Sequence, residues 1–150
     1  MGLIFLNKEI EYAKNNNSSL SVCFVDVNNL KEINDNLGHA TGDELLIKLT
    51  QVLKNNIRES DAVARFGGDE FLLIFPNIKR EAAEKIWERI KNELNRINKA
   101  KESQFNISVS HGIVECEDGC SSSAEKLISI ADEKMYKEKQ MIKKGEITDA

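Results

Sequence analysis

The sequence predicts an α/β (α+β) sandwich, in which a mostly antiparallel central sheet is flanked by helices. Helix-like and strand-like segments follow the order α-β-α-α-β-β-α-β-α, a Gly-Gly turn joins two of the strands, and the long helices carry apolar stripes. A tight turn joins antiparallel strands, and an apolar helical stripe must be covered by a sheet or another helix. The 150 residues, 41% of them hydrophobic, suffice for one domain with a buried core.

The first half of the chain contains four predicted elements. An amphipathic helix over 4–14 precedes an Asn/Ser-rich loop and a strand of β-branched and aromatic residues that ends at Val27. A short helix over 28–36 is stopped by Gly38. A long helix begins at Gly42 or Asp43. Its apolar residues recur with the helical period; they are Leu45, Leu46, Leu49, Val52, Leu53 and Ile57.

The second half begins with two apolar strands, over 62–66 and 71–75, on either side of Gly67 and Gly68. These two glycines are expected to supply the positive φ angles of a tight hairpin turn. Pro76 ends the second strand, and a helix over 80–100, a strand over 105–114 and a final helix from near Ser123 follow. Trp87 lies on the apolar stripe of the 80–100 helix, which indicates a core residue.

Composition limits the classes of function. The formal net charge of −4 argues against general nucleic-acid binding, which uses clustered Lys and Arg. No apolar run approaches the roughly 20 residues that span a bilayer. We therefore expect no membrane contact by this domain and a cytoplasmic location; attachment of the parent protein to a membrane stays an open alternative. Cys23 is predicted to be a core residue, and Cys116 and Cys120 are expected to be unpaired thiols.

Acidic residues from two separate segments are expected to converge. Asp69 and Glu70 are adjacent in the glycine hairpin, and Asp26 lies near the end of the first strand. Adjacent carboxylates disfavour each other's ionisation unless a positive charge lies between them, and hard oxygen ligands suit Mg²⁺. Taken alone, Asp26 could instead cap the following helix. The hairpin acids favour a metal site.

These motifs identify a family resemblance. Residues Gly67-Gly68-Asp69-Glu70-Phe71 resemble the signature of GGDEF-domain diguanylate cyclases, as do the segments 24–35, 38–44 and 131–136, in family order and spacing. The likeness covers nearly the whole chain. It implies the fold shared by nucleotidyl cyclases and polymerase palm domains, and a single GGDEF domain over 1–150 that lacks the family's usual Leu-Thr-Gly-Leu-x-Asn-Arg turn and any upstream sensor domain.

The resemblance also implies an activity: the condensation of two GTP into cyclic di-GMP with release of two pyrophosphates. Each step is an attack of a ribose 3′-hydroxyl on an α-phosphate, assisted by Mg²⁺, with Mn²⁺ as an alternative ion. Asp26, Asp69 and the Val27 carbonyl are the expected metal ligands. Asp69 and Glu70 are the catalytic candidates, and Glu70 is either a further ligand or the general base.

Other positions match the family's nucleotide contacts. Guanine presents N1–H and N2–H₂ donors on one edge, which the Asp43 carboxylate can accept with Asn34 as its amide partner. Asp43 could otherwise cap the long helix, and Asn34 could be a helix-terminal residue. His39 matches a nucleotide-contact position. The cationic candidates for phosphate binding are Lys31, Lys139 and Lys143, of which Lys143 could equally be a solvated tail charge.

A product-binding inhibitory site is also implied. Arg58 and Asp61 match the family's Arg-x-x-Asp pattern, and Arg89 matches a secondary contact. Guanidinium and carboxylate groups can pair with phosphate and with guanine. A surface pair at a helix end is the alternative interpretation.

One domain holds one nucleotide, so catalysis is expected to require a homodimer of half-sites related by two-fold symmetry. The isolated chain is expected to be mostly monomeric. The alternative functions are a catalytically silent cyclic di-GMP receptor that uses Arg58 and Asp61, and a GTP-binding regulatory module without turnover.

Overall fold

A computed structural model describes residues 2–100 and 105–145; Met1, residues 101–104 and the residues beyond 145 lie outside this range. The elements are α1 (Gly2–Asn16), β1 (Leu20–Val27), α2 (Leu30–Leu37), α3 (His39–Asn55), β2 (Ala62–Arg65), β3 (Glu70–Pro76), α4 (Arg80–Ala100), β4 (Val109–Cys116) and α5 (Ala124–Lys143). The predicted α+β sandwich is confirmed.

The sheet has the order β2-β3-β1-β4, and each neighbouring pair is antiparallel. β1 is therefore a central strand, paired with β3 on one side and β4 on the other. All eight of its residues are buried. This burial explains its continuous apolar and β-branched run, because both of its faces are covered by helices.

Two apolar cores lie on opposite faces of the sheet. Cys23, Val25 and Val27 of β1 face the core shared with α3 and α4, whereas Val22 and Phe24 face the core shared with α1 and α5. Successive side chains of a strand point to opposite faces, so Asp26 faces the α5 side. The same alternation along β3 puts Glu70 on the α5 side with Leu72 and Ile74.

The helices begin and end differently from the predicted positions. α3 begins at His39, after Gly38 with φ of 93°, and not at Gly42 or Asp43. Asp43 is therefore inside the helix, and its interpretation as an N-cap is wrong. α2 begins at Leu30 because Asn29 adopts a left-handed conformation with φ of 63°.

The hairpin between β2 and β3 does not use positive φ angles at its glycines. Within the described residues the positive-φ glycines are Gly38, Gly119 and Gly145, so the expectation for Gly67 and Gly68 is wrong. The Arg65 guanidinium holds the turn instead, with Nε 3.1 Å from Gly67 O and Nη2 2.7 Å from Gly68 O.

The expectation of unpaired thiols at Cys116 and Cys120 is also wrong. Their sulfurs form a disulfide across a five-residue loop, and the Cα atoms lie 5.2 Å apart. A turn brings them together, with Cys120 N–H donating to Glu117 O and Gly119 at φ of 85°. Cys23 is a free, buried core residue, as predicted.

The last strand is also shifted from its predicted position, since β4 covers Val109–Cys116. None of the helices in the described part of the chain is long and apolar enough to cross a membrane.

Candidate active site

Antiparallel pairing of β1 with β3 brings the predicted acidic residues together. Asp26 lies directly opposite Glu70 in the register of the two strands. The Val27 N–H donates to Asp69 O at 2.9 Å, which ties the hairpin to the end of β1. The Asp26 side chain lies within the sheet and does not cap α2, so its interpretation as an N-cap is wrong.

Lys139 of α5 supplies a positive charge to this cluster. Its Nζ lies 2.6 Å from Asp26 Oδ2, although 113 positions separate the two residues. The other carboxylate oxygen, Asp26 Oδ1, is buried and has no hydrogen-bond partner among residues 2–100 and 105–145. A buried polar atom without a partner is costly in free energy, and this cost indicates that the site accommodates a further donor or cation.

Burial and like charge together disfavour ionisation of Asp26 and Glu70. Desolvation raises the pKa of Asp26 above its ordinary value, Lys139 lowers that pKa, and Asp69 raises it again, so the net direction is upward. Desolvation also raises the pKa of Glu70, and the charges of Asp26, Asp69 and Asp132 add to that rise. The folded protein therefore holds these protons more tightly than the unfolded chain does.

The carboxylates have the chemistry that a hard divalent cation requires. Asp26, Asp69 and the Val27 carbonyl offer oxygen atoms that would suit such an ion, and Asp26 Oδ1 has no hydrogen-bond partner within the described residues. Over residues 2–100 and 105–145, no group of three or more His, Cys, Asp or Glu side chains is already placed to hold a metal ion. In this arrangement Lys139 provides the compensating charge. The donor set fits Mg²⁺ or Mn²⁺ in its chemistry.

A buried amide network supports the end of β1. Asn28 Nδ2 donates to Ser108 Oγ at 2.9 Å, and Ser110 Oγ donates to Asn28 Oδ1 at 3.0 Å. Asn28 N–H also donates to Ser108 O. Sequence reasoning gave no role to Asn28 or to the two serines. These bonds hold the end of β1, and in the sequence only the place of Asn28 directly after Asp26 and Val27 points to this role.

Asn34 and Asp43 lie on neighbouring helices, as their proposed shared role requires. The Asn34 side chain packs against α3 at Gly42, where a Cβ atom would clash with Asn34 Oδ1. Asp43 follows Gly42 and is exposed. It lines a groove of about 550 Å³ that runs along α3 to Arg65. The half-buried amide and the exposed carboxylate are therefore adjacent at an open surface.

The remaining cationic and imidazole candidates lie at helix ends. His39 is the exposed first residue of α3, and Lys31 is exposed in the first turn of α2. Lys143 is the exposed last residue of α5. Across the described parts of the chain, neither Lys31 nor Lys143 forms an ion pair with the three carboxylates.

The three residues of the predicted inhibitory site meet at the end of α3. Arg58 Nη2 lies 2.7 Å from Asp61 Oδ1 and also donates to Pro76 O at 2.7 Å. The Asp61 side chain is fully buried, and it accepts the Arg58 N–H as well. Arg89 donates to Asn56 O at 2.7 Å. The Arg58 side chain remains 48% exposed.

Comparison with known proteins gives a consistent result. The sequence model of the family described as "Diguanylate cyclase, GGDEF domain" matches residues 4–144. The chain is similar to the diguanylate cyclase DosC of Escherichia coli K12, with 36% identity over 129 residues, covering 86% of this chain and 28% of DosC. It therefore spans about a quarter of the length of that curated relative.

Solved structures also resemble the fold. The isolated GGDEF domain of TpbB (YfiN) from Pseudomonas aeruginosa matches with a TM-score of 0.79 and 32% identity, covering 91% of this chain and 80% of that one. The GGDEF domain of DgcB from Caulobacter crescentus, solved in complex with c-di-GMP, matches with a TM-score of 0.81 and 26% identity over 90% of this chain and 80% of that one.

The charge on Glu70 is expected to reduce the stability of the fold. Glu70→Gln removes repulsion from Asp26, so at pH 7 to 8 the variant should be more stable by about 0.2–1 kcal/mol, the range for opposed like charges in a sheet. Because the folded pKa of Glu70 is raised, the wild type gains stability as pH falls through that pKa, and the difference should shrink.

Urea unfolding of both proteins, from pH 8 down through the pKa of Glu70, measures the difference in their free energies of unfolding. Glu88→Gln, on the exposed face of α4, is the matched control and should leave stability unchanged. A Glu70→Gln protein that is less stable than the wild type at pH 8 would contradict the repulsion argument.

Proposed function

This chain belongs to the diguanylate cyclase GGDEF-domain family, and on that premise we propose that it condenses two GTP into cyclic di-GMP and two pyrophosphates. The observation that carries the proposal is the meeting of Asp26, Asp69 and Glu70 at one end of the sheet beside Lys139. The adjacent pair of Asn34 and Asp43, at a groove that extends to Arg65, supports a guanine nucleotide as the substrate.

The chain's own groups divide the work of substrate binding. The Asp43 carboxylate accepts hydrogen bonds from the N1–H and N2–H₂ donors of guanine, and the Asn34 side-chain amide forms a further hydrogen bond with the base. Adenine lacks this pair of donors, so GTP is preferred to ATP. His39 contacts the nucleotide, and Lys31 and Lys143 offer positive charge to the phosphates from exposed helix ends.

Asp26, Asp69 and the Val27 carbonyl would hold Mg²⁺ or Mn²⁺. When bound, such an ion favours ionisation of the 3′-hydroxyl and stabilises the leaving pyrophosphate. Burial and neighbouring carboxylates raise the pKa of Glu70, which makes its carboxylate a stronger base and suits it to accept the hydroxyl proton. Lys139 holds Asp26 in place through its ion pair and lies beside the charge that the phosphates bring.

Substitution of the hairpin acid tests the assignment. Asp69→Asn keeps the size of the side chain and removes its charge, and product formation should fall by roughly 100-fold or more, as when a group essential to the transition state is lost. Incubation of a dimerised protein with GTP and Mg²⁺, followed by chromatography, measures the product. Asp118→Asn, in an exposed loop near the opposite end of β1, is the control and should retain full activity. An unimpaired Asp69→Asn protein would refute the assignment.

Catalysis by half-sites makes the rate depend on protein concentration. One chain presents one Asn34–Asp43 pair, and the product contains two guanosines, so two chains must face each other. The specific activity should therefore fall as the protein is diluted, and a fused leucine zipper should restore it. Initial rates over a hundred-fold range of concentration test this, and constant specific activity would contradict the dimer requirement.

Product inhibition is proposed to act at Arg58, Asp61 and Arg89. The buried Asp61 carboxylate is already bonded to Arg58, so the exposed part of the Arg58 guanidinium is the group offered to a phosphate. Arg58→Ala should raise the product concentration needed for half-inhibition by about ten-fold, since one charge-assisted contact is lost. Arg96→Ala, on the exposed side of α4, is the control. Unaltered sensitivity to added cyclic di-GMP in Arg58→Ala would exclude this site.

A further inference from the structure

The outer edge of β4 is closed by side chains of α5. β4 lies at the end of the sheet, so every second residue directs its backbone N–H and C=O away from β1. Glu138 Oε1 accepts the His111 N–H at 2.9 Å, and Lys134 Nζ donates to Ile113 O at 2.9 Å. Glu138 and Lys134 are four residues apart and therefore lie on one face of α5.

The backbone of α5 lies directly on this strand. A Cβ atom on Gly112 would clash with Ala131 O and would lie 2.6 Å from Met135 N. No side chain separates helix from strand at this point. The distance between them is thus set by backbone contact. Leu127, Ala131 and Met135 pack into the core on this face, and the two edge bonds add a directional restraint on the rotation of α5.

His111 contacts helices on both sides of the sheet, with Glu138 of α5 on one side and Trp87 of α4 on the other. Its Nδ1 lies 2.9 Å from Glu138 Oε1, so one oxygen meets both the backbone N–H and the ring. On its other side the ring stacks on Trp87 of α4, with centroids 4.3 Å apart and planes inclined by 15°. The His111 and Glu138 side chains are 17% and 21% exposed. This half-buried contact fixes the Glu138 position.

Glu138 is followed immediately by Lys139, the residue that reaches Asp26. A small rotation of α5 at Glu138 would swing Lys139 by the same angle, because adjacent residues share one rigid helical backbone. We propose that Glu138 is a positioning residue: by binding the edge of β4 at His111, it holds α5 at the rotation that delivers Lys139 to Asp26.

Chemical reactivity of Lys139 tests the proposal without reference to catalysis. The rate of acylation of each lysine amine is measured by mass spectrometry, and an amine paired with a carboxylate reacts more slowly than a free one. The rate at Lys139 relative to exposed Lys126 of the same helix therefore reports its pairing with Asp26. In Glu138→Ala the relative reactivity of Lys139 should rise about five-fold, the loss of roughly one net hydrogen bond. In Glu138→Gln, which keeps an oxygen to accept from His111, it should stay near the wild-type value.

Glu133→Ala is the matched control, because Glu133 is an exposed carboxylate on α5 that pairs only loosely with Lys137, at 3.7 Å. It should leave Lys139 unchanged. If Glu138→Ala unfolds the protein, the reactivity of every lysine will rise equally. In that case Glu138→Asp is the test variant, because it keeps the negative charge and shortens the side chain. Wild-type reactivity of Lys139 in a folded Glu138→Ala or Glu138→Asp protein would overturn the proposal.

A kinetic measurement extends the test and rests on the proposed function. Glu138→Ala should lower kcat by roughly ten-fold. KM for GTP should rise by a smaller factor, since Lys139 is one of several proposed phosphate contacts and Asn34 and Asp43 lie on other helices. Glu138→Gln should recover most of kcat. A wild type that makes no cyclic di-GMP would refute the proposed function alone, and the reactivity of Lys139 would still decide the role of Glu138.

Discussion

The ion pair between Lys139 and Asp26 is the interaction on which the rest of the site depends. Asp26 is 7% exposed and lies at the end of a strand that is buried on both faces. A carboxylate in such a place needs a compensating charge. The charge comes from α5, 113 positions along the chain, so the last helix must be docked correctly before the acidic cluster has its observed electrostatics.

Whereas Lys139 compensates the charge of Asp26, the pairing of β1 with β3 adds negative charge beside it. Register places Glu70 directly across from Asp26, and the hairpin adds Asp69, so the fold brings together charges that repel. Arg65, the Asn28 network and the Val27–Asp69 backbone bond hold these groups in place from their other sides. A concentration of negative charge whose groups are held in fixed positions suits a site that binds a cation, or a phosphate group together with a cation.

The proposed substrate contacts and the acidic cluster belong to different layers of the fold. Asn34 and Asp43 belong to the α2–α3 pair, whereas Lys139 and Glu138 belong to α5 on the other side of the sheet. The arginines proposed for product binding lie at the end of α3 and on α4, and their bonds to Asp61, Pro76 and Asn56 also hold that corner together. Loss of Arg58 is therefore expected to affect both product binding and local packing.

The sequence by itself determined the fold class, the hairpin and the identity of the core, because apolar period and turn residues are local signals. Leu45, Leu49 and Trp87 are all buried, as their spacing predicts. Only the tertiary structure decided that Lys139 meets Asp26, that Glu138 closes the β4 edge, that Cys116 bonds Cys120, and that Arg65 replaces positive φ angles in the turn. These contacts depend on the rotation and register of packed elements, and such quantities are set by the whole assembly of the chain.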